Sequence, residues 1–507
     1  MGIPLYFKKL SHEFDNIIST RKPQGHVSRL FLDFNCAIHY CSNKIKEENC
    51  SYSDDEFEDK LISECKKYIL KLRDFVNPDE LIYVSIDGVV PMAKITQQRK
   101  RRFFSDFKNK NSTQWNSNAI TPGTLFMKKL ILQLNEFSEA CDFEIKIDAN
   151  RGEGEHKICH HIRNTEIPSG NDIIYGLDAD MILLSMLSKN SDNTYLLRED
   201  VKNDSMLIYM NIKNTKEQIY NQFSNMIKDK DSNKEFIIKC YIFITFFLGN
   251  DFLPNLSYIS LRSHGITTLI EAYKETYKQL KSHILNYTTQ TTTMQINNDF
   301  LKHFIMYLSN NEDTLFYDQE KIYYNKTQSF KMKQDLENYP ITHKYPKVIN
   351  SEKPGWRQNY YYHLFTNTYD TSIINTSCTR YIQGLKWLIM YYFDQETEWF
   401  WFYPFNYSPT IMDLSNYTLI TNERDIVFDN TYTKEIVDID QLVMVLPQSS
   451  INIIPEKYQE IITNVSLGQS HNFPTTFTIC TFMKYKLHEC GSQGLFLNTP
   501  IYVDTII

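Results

Sequence analysis

The sequence predicts an α/β fold: a mostly parallel sheet flanked by helices, with a largely helical second region packed on it. Three observations lead there. Residues 29–34 (RLFLDF), 81–87 (LIYVSID) and 172–178 (DIIYGLD) are short apolar runs that each close on an aspartate. Helical patterns lie between them, as parallel strands covered on both faces require. The third observation is that these acids fall where each strand ends. In open parallel sheets that edge is where ligands bind.

Along the chain, residues 57–75 carry an apolar stripe at helical spacing behind the acidic segment 54–56. Residues 122–140 follow Thr121-Pro122, an N-cap residue and then proline at the first helical position. Residues 155–163 predict a further helix. Residues 236–248 (FIIKCYIFITFFL) are apolar nearly all round and long enough for a buried helix, which ends at Gly249-Asn250-Asp251. The polar stretches 228–234 and 288–293 read as loose, and the second suggests a boundary between a core over 1–275 and a helical, aromatic region over 276–507. No repeat of solenoid period is present.

At 507 residues the chain exceeds one ordinary core, so two or more domains are expected. A formal charge of −7, from 54 basic and 61 acidic residues, argues against a protein that coats nucleic acid generally, but permits local basic sites. The 10 cysteines include no C-x-x-C pair, which favours free thiols in a reducing compartment over zinc or disulfides. The N-terminus lacks the apolar segment of a signal peptide, and Tyr6 breaks the myristoylation pattern. The longest apolar stretch, 241–248, is too short to span a bilayer. An intracellular, soluble chain without a membrane partner is the expectation, as a monomer.

Seven carboxylates in five motifs carry the chemistry: Asp33, Asp87, Glu153, Glu155, Asp178, Asp180 and Asp251. Burying such a cluster costs several kcal/mol per ion unless something neutralises it. Divalent cations do so, and two ions about 3.5–4 Å apart suit phosphodiester hydrolysis, one activating water and the other stabilising the leaving oxygen. Mg²⁺ favours such carboxylates with retained waters. Taken singly each acid reads as a solvated turn or cap; jointly they point to metal-assisted phosphoryl transfer. Glu153 and Glu155 would diverge on one helix, so Glu153 belongs in the loop or first turn.

The segment following Asp87 is basic within an acidic chain. If it is helical, Lys94, Gln98, Arg101 and Arg102 lie near one face and would hold a phosphate. A solvated basic face or an import patch fits them equally. His39 follows Asp33 by one or two helical turns, and Trp399 and Trp401 could oppose it around stacked bases. Core packing accounts for these three at least as well. No G-x-S-x-G, Walker A or H-E-x-x-H motif occurs.

The strings MGIPLYFKKL, FLDFNCAIH, DGVVPMAKITQQRKRRFF, NAITPGTLFM, DANRGEGEHKI, IYGLDADMILL and FLGNDFLPNL resemble, in order, the Xrn-type 5′→3′ exoribonucleases of the flap-endonuclease-like group. GLKWLIMYYF, EWFWFYPFNYSP and DIDQLVMVLPQSS extend the resemblance over most of the chain. It implies that the seven acids bind two Mg²⁺ ions, with Mn²⁺ as a substitute. It implies that Lys94, Gln98, Arg101 and Arg102 form a small pocket for a 5′-monophosphate, with Lys94 also touching the scissile phosphate. His39 would stack on the terminal bases with Trp399 or Trp401 as its partner. The implied activity is processive release of mononucleotides from single-stranded, 5′-monophosphorylated RNA in mRNA decay, in the cytoplasm or nucleus, with decapping factors as candidate partners. A DNA flap nuclease and a non-catalytic RNA-binding scaffold are the competing readings. The family's long C-terminal extensions do not follow Ile507, so the expectation is a short form; richness in Asn, Ile, Lys and Tyr suggests an AT-rich source such as a large DNA virus.

Overall fold

A computed structural model describes residues 2–48, 50–108, 114–200, 203–227, 233–287, 293–329, 349–366, 369–393, 397–421, 426–428, 434–468, 472–473, 497 and 501. The first region forms strands β1 (Ile18–Ser19), β2 (Val27–Asp33), β3 (Pro78–Ser85), β4 (Ile145–Asp148), β5 (Asn171–Tyr175), β6 (Thr194–Asp200) and β7 (Asn203–Asn211). Its helices are α1 (Tyr6–Glu13), α2 (Phe34–Glu47), α3 (Asp54–Val76), α4 (Met92–Lys108), α5 (Leu125–Ala140), α6 (Gly154–Asn164), α7 (Ala179–Leu187), α8 (Ile212–Ile227) and α9 (Lys234–Thr245).

The strands form one sheet in the order β1-β7-β6-β5-β2-β3-β4. Pairings among β6, β5, β2, β3 and β4 are parallel, whereas β7 pairs antiparallel with both β6 and β1. The chain builds outward from β2 through β3 to β4, then returns to lay β5 on the other side of β2. That reversal makes β2/β5 the switch point, where the carboxyl ends of neighbouring strands diverge and leave a crevice.

Every residue of β2 is buried, because helices cover both faces. Leu30 and Leu32 join α2, α3 and α5 in one core, while Phe31 points into the other with α1 and α6–α9. The second core continues without a break into the second region, through the helices Gly265–Leu280, Asn298–Ser309, Thr371–Tyr392 and Ile411–Ile420. The helix Gly265–Leu280 runs across residue 275. The polar stretches 228–232 and 288–292 lie outside the described residues. Among the described residues no helix is long and apolar enough to cross a membrane, and the eight described cysteines are free thiols.

One helix start differs from expectation. Helix α5 begins at Leu125, capped by the Thr124 hydroxyl accepting from the Met127 amide. Gly123 has φ +90°, so Pro122-Gly123 makes a turn and the cap moves to the next threonine. Thr121 instead donates to the Asn118 carbonyl (2.7 Å) and accepts from Arg102 Nε (2.8 Å).

Candidate active site

The strands end level with one another. Asp33 pairs with Ser85 across β2/β3, Ser85 with Asp148 across β3/β4, and Leu32 with Tyr175 across β2/β5. Asp33, Asp87 and Asp178 therefore leave the sheet at one edge. Asp33, Glu153 and Asp178 occupy the N-cap positions of α2, α6 and α7, yet none of their side chains caps its own helix. The helix amino ends behind these carboxylates offset some of the negative charge. Glu155 and Asp180 each follow two residues on, in the first turn, which explains the shared E-x-E and D-x-D spacing.

Local bonding aims these groups. Asn35 clasps Asp87 twice, donating to Oδ2 (3.0 Å) and accepting from its amide (3.1 Å). The Gly154 amide donates to Asp87 Oδ1 (2.7 Å), and a Cβ on Gly154 would lie 3.0 Å from Asp33 Oδ1 and 3.4 Å from Asp87 Oδ1. Two carboxylates thus converge on one backbone position. Lys157 Nζ gathers the ends of β3 and β4 by donating to the carbonyls of Ile86 (2.6 Å), Asp148 (2.9 Å) and Asn150 (3.0 Å). After α9, Gly249 at φ +83° turns the chain. Asn250 Oδ1 then accepts from the Phe252 and Leu253 amides, both at 2.9 Å, which presents Asp251 to the same crevice.

A Cβ on Gly88 would stand 2.1 Å from the Asn150 carbonyl oxygen, so this loop approach has no room for a side chain. Gly88→Ala is expected to destabilise the protein by about 1–3 kcal/mol through forced backbone shifts, measurable by urea unfolding, and to lower activity because Glu153 follows on the displaced loop.

Lys94 is the side chain that ion-pairs the described acids, reaching Glu153 and, at 3.2 Å, Asp251 Oδ2. Burial opposes its charge, but Glu153, Asp251 and Glu155 outweigh that and hold its pKa well above the ordinary value. Burial, then Asp87 and Asp178, push Asp33 up to about 7; burial, then Asp251, do the same to Asp180. Burial, Asp180 and Glu153 raise Glu155 further. Asp33, Glu155 and Asp180 are thus each raised by burial and by neighbouring acids.

The second region also reaches this site, through two tyrosines that sequence reasoning missed. Tyr391 donates to Glu153 Oε1 and Tyr392 bonds Asp180. Their helix, Thr371–Tyr392, has the apolar pattern of a core element, and the adjacent pair of hydroxyls in GLKWLIMYYF was the one available signal. Asn35 and Cys36 were likewise unassigned; the Cys36 thiol donates to Asp33 Oδ2 (3.2 Å).

Among the described residues no group of three or more His, Cys, Asp or Glu side chains is arranged to hold a metal ion as it stands. Lys94, Tyr391, Tyr392 and Asn35 donate to these carboxylates. The donor set nevertheless fits Mg²⁺. It is made of hard carboxylate oxygens, and Glu155 Oε2 and Asp180 Oδ1 are buried without any hydrogen-bond partner. Buried polar atoms of that kind are normally satisfied, so these two call for a ligand.

The basic segment is helical, as expected. Lys94 faces the acids. Gln98 is buried, Arg101 is exposed, and Arg102 is half-buried against Thr121 and the Ile120 carbonyl. Burial, then Arg101, lowers the Arg102 pKa to about 9. His39 is exposed at its surface; burial of the ring, then Arg101, Arg102 and Lys46, push its pKa down to about 4. The two tryptophans part company. Trp401 is buried, stacked on Trp387 (5.4 Å between centroids), with Nε1 donating to Gln383. Buried and covered by Trp387, it presents no open face to a base. Trp399 stays half-exposed and its carbonyl accepts from the Met92 amide at the start of α4 (2.8 Å).

An open α/β sheet with an acid-floored crevice at its parallel switch point is the class that this architecture defines. Comparison with known families narrows it. Residues 1–200 match the XRN 5′-3′ exonuclease N-terminus, and residues 231–353 and 347–481 match the Xrn1 helical domain. The chain belongs to the Xrn family. Among similar proteins, 5′-3′ exoribonuclease 1 of Homo sapiens is 25% identical over 94% of this chain and 32% of its own length. The 5′-3′ exoribonuclease 2 of Debaryomyces hansenii is 24% identical over 94% and 67%, and that of Saccharomyces cerevisiae 29% identical over 58% and 38%. The chain thus spans from about a third to two thirds of the length of these relatives.

Proposed function

We propose that this protein is a Mg²⁺-dependent 5′→3′ exoribonuclease that removes mononucleotides processively from RNA bearing a 5′-monophosphate. The observation that carries this reading is the convergence of seven carboxylates and Lys94, from distant segments, on the carboxyl edge of the sheet. Family membership supports it, as do the names of the relatives. Bound among the acids, Mg²⁺ supplies Lewis-acid stabilisation of the scissile phosphate and a lowered pKa for the attacking water.

The protein's own groups do the rest. Asn35 and the Gly154 amide fix the orientation of Asp87. Tyr391 and Tyr392 hold Glu153 and Asp180 and wall the crevice against bulk water. Lys94 offers an ammonium that can exchange a carboxylate for a substrate phosphate. Arg101 and Arg102, beside His39, offer guanidinium forks that recognise a terminal phosphate. The reading extends to a role in RNA decay, with decapping factors as suppliers of monophosphorylated ends, and to a monomer in the cytoplasm.

The test is digestion of one RNA carrying a triphosphate, monophosphate or hydroxyl 5′ end, with and without Mg²⁺, following mononucleotide release. Rapid Mg²⁺-dependent digestion of the monophosphate form alone is expected. Equal rates on all three ends would refute the pocket. No digestion, together with no Mg²⁺ effect on Tm, would favour a binding scaffold. Arg101→Ala is expected to cut the monophosphate-over-hydroxyl preference by about tenfold, the size of one charge-assisted phosphate contact, read from kcat/KM on the two ends.

A further inference from the structure

Arg151 lies in the loop between β4 and α6, two residues before Glu153, and it reaches out of the first region to grip the second. Its guanidinium carbon sits 3.6 Å from the centroid of the Trp399 ring, and Nη1 donates to Glu435 Oε1 at 2.8 Å. The loop is pinned beside the acid site: Gly152 donates to the Val89 carbonyl (2.8 Å) and Gly88 to the Gly152 carbonyl (2.9 Å). Trp399 packs in part against the core that holds Val90 and Met92. Arg151 lies over the indole and is itself exposed, so its guanidinium reaches solvent on this side of Trp399.

We propose that Arg151 and Trp399 form one stacking step at the mouth of the acid site, in which Arg151 presents the face that meets a nucleobase of single-stranded RNA. This rests on the RNA-end reading above. Guanidinium planes stack on bases as aromatic rings do. The ion pair with Glu435 is exposed on its carboxylate side, which is 79% accessible, so it holds Nη1 without tying up the charge strongly.

The experiment measures binding of a 5′-phosphorylated oligoribonucleotide without divalent ion, by fluorescence polarisation, and steady-state kinetics with Mg²⁺. Arg151→Ala is expected to weaken binding about tenfold, with the loss falling on KM rather than kcat. Arg151→Lys keeps the charge and loses the plane, so it should remain as weak as the alanine variant. An oligonucleotide with abasic residues at its 5′ end should bind wild type and Arg151→Ala alike, because the base that Arg151 meets is gone. Glu435→Gln should bind at least as tightly as wild type. Full rescue by lysine, or the same Arg151→Ala loss on abasic RNA, would show a charge contact and overturn the stacking role. Unchanged or tighter binding by Arg151→Ala would overturn it as well. Failure of wild type to bind RNA at all would instead refute the parent reading.

Discussion

Asp180→Asn is expected to abolish cleavage of monophosphorylated RNA, by about 10³-fold or more, while making the metal-free protein more stable. Both effects follow from one fact. Asp180 is buried among like charges, and its folded pKa lies at about 7, well above the ordinary 3.8. A carboxyl whose folded pKa is raised binds its proton more tightly folded than unfolded. It therefore costs nothing at pH below about 4, costs progressively more as pH rises from about 4 to about 7, and costs a constant amount above that. In EDTA the variant and wild type should melt together near pH 4.5, and the variant should melt higher at pH 8, by an amount on the order of a few kcal/mol. Mg²⁺ should raise the Tm of wild type at pH 8 and do so less for the variant. Equal melting at pH 8 in EDTA would mean that Asp180 carries no electrostatic strain, and the acid cluster would lose its reason to bind metal.

The elements that place these acids were legible because each strand announces its own end. An apolar run that stops at aspartate gives both the buried strand and the edge at which the charge emerges, and β2, β3 and β5 all carry that signal. The spacing of Glu153 and Glu155 likewise foretold a loop-to-helix junction, and Glu153 stands at the N-cap of α6. What sequence could not supply were choices made among partners far apart in the chain. Lys94 lies on the same helix as Gln98 and Arg101, and helical spacing assigns it to their phosphate face. The fold also brings Glu153 and Asp251 to it, 59 and 157 residues away in sequence. Tyr391 and Tyr392 pose the same problem, since their pattern is that of any buried helix and only packing against His156 of α6 and Phe252 brings the end of Thr371–Tyr392 to the acids. The start of α5 depended on which of two threonines a Pro-Gly turn would leave free to cap.

Lys94→Met tests that partner choice most severely. Glu153 is 4% exposed and shares the ammonium with Asp251. Removing one member of a buried ion pair leaves the other charge unpaired and costs about 3–5 kcal/mol. The metal-free variant should therefore melt well below wild type at pH 8. The gap should narrow as pH falls toward 5, because Glu153, already raised by burial against the pull of Lys94, then takes up a proton in place of its lost partner. Two further effects should run in opposite directions. With the competing cation gone, Mg²⁺ should bind more tightly and recover most of the lost stability. Affinity for a 5′-monophosphorylated end, measured without metal against a hydroxyl end, should not improve, since the ammonium that could leave the carboxylates for a phosphate is absent. Tighter Mg²⁺ binding alongside lost activity would separate Lys94's two roles: it neutralises the acids in the resting protein, and it serves the substrate once metal has displaced it. A variant that melts like wild type in EDTA would show that the acids do not depend on Lys94, and the exchange of partners would fall with it.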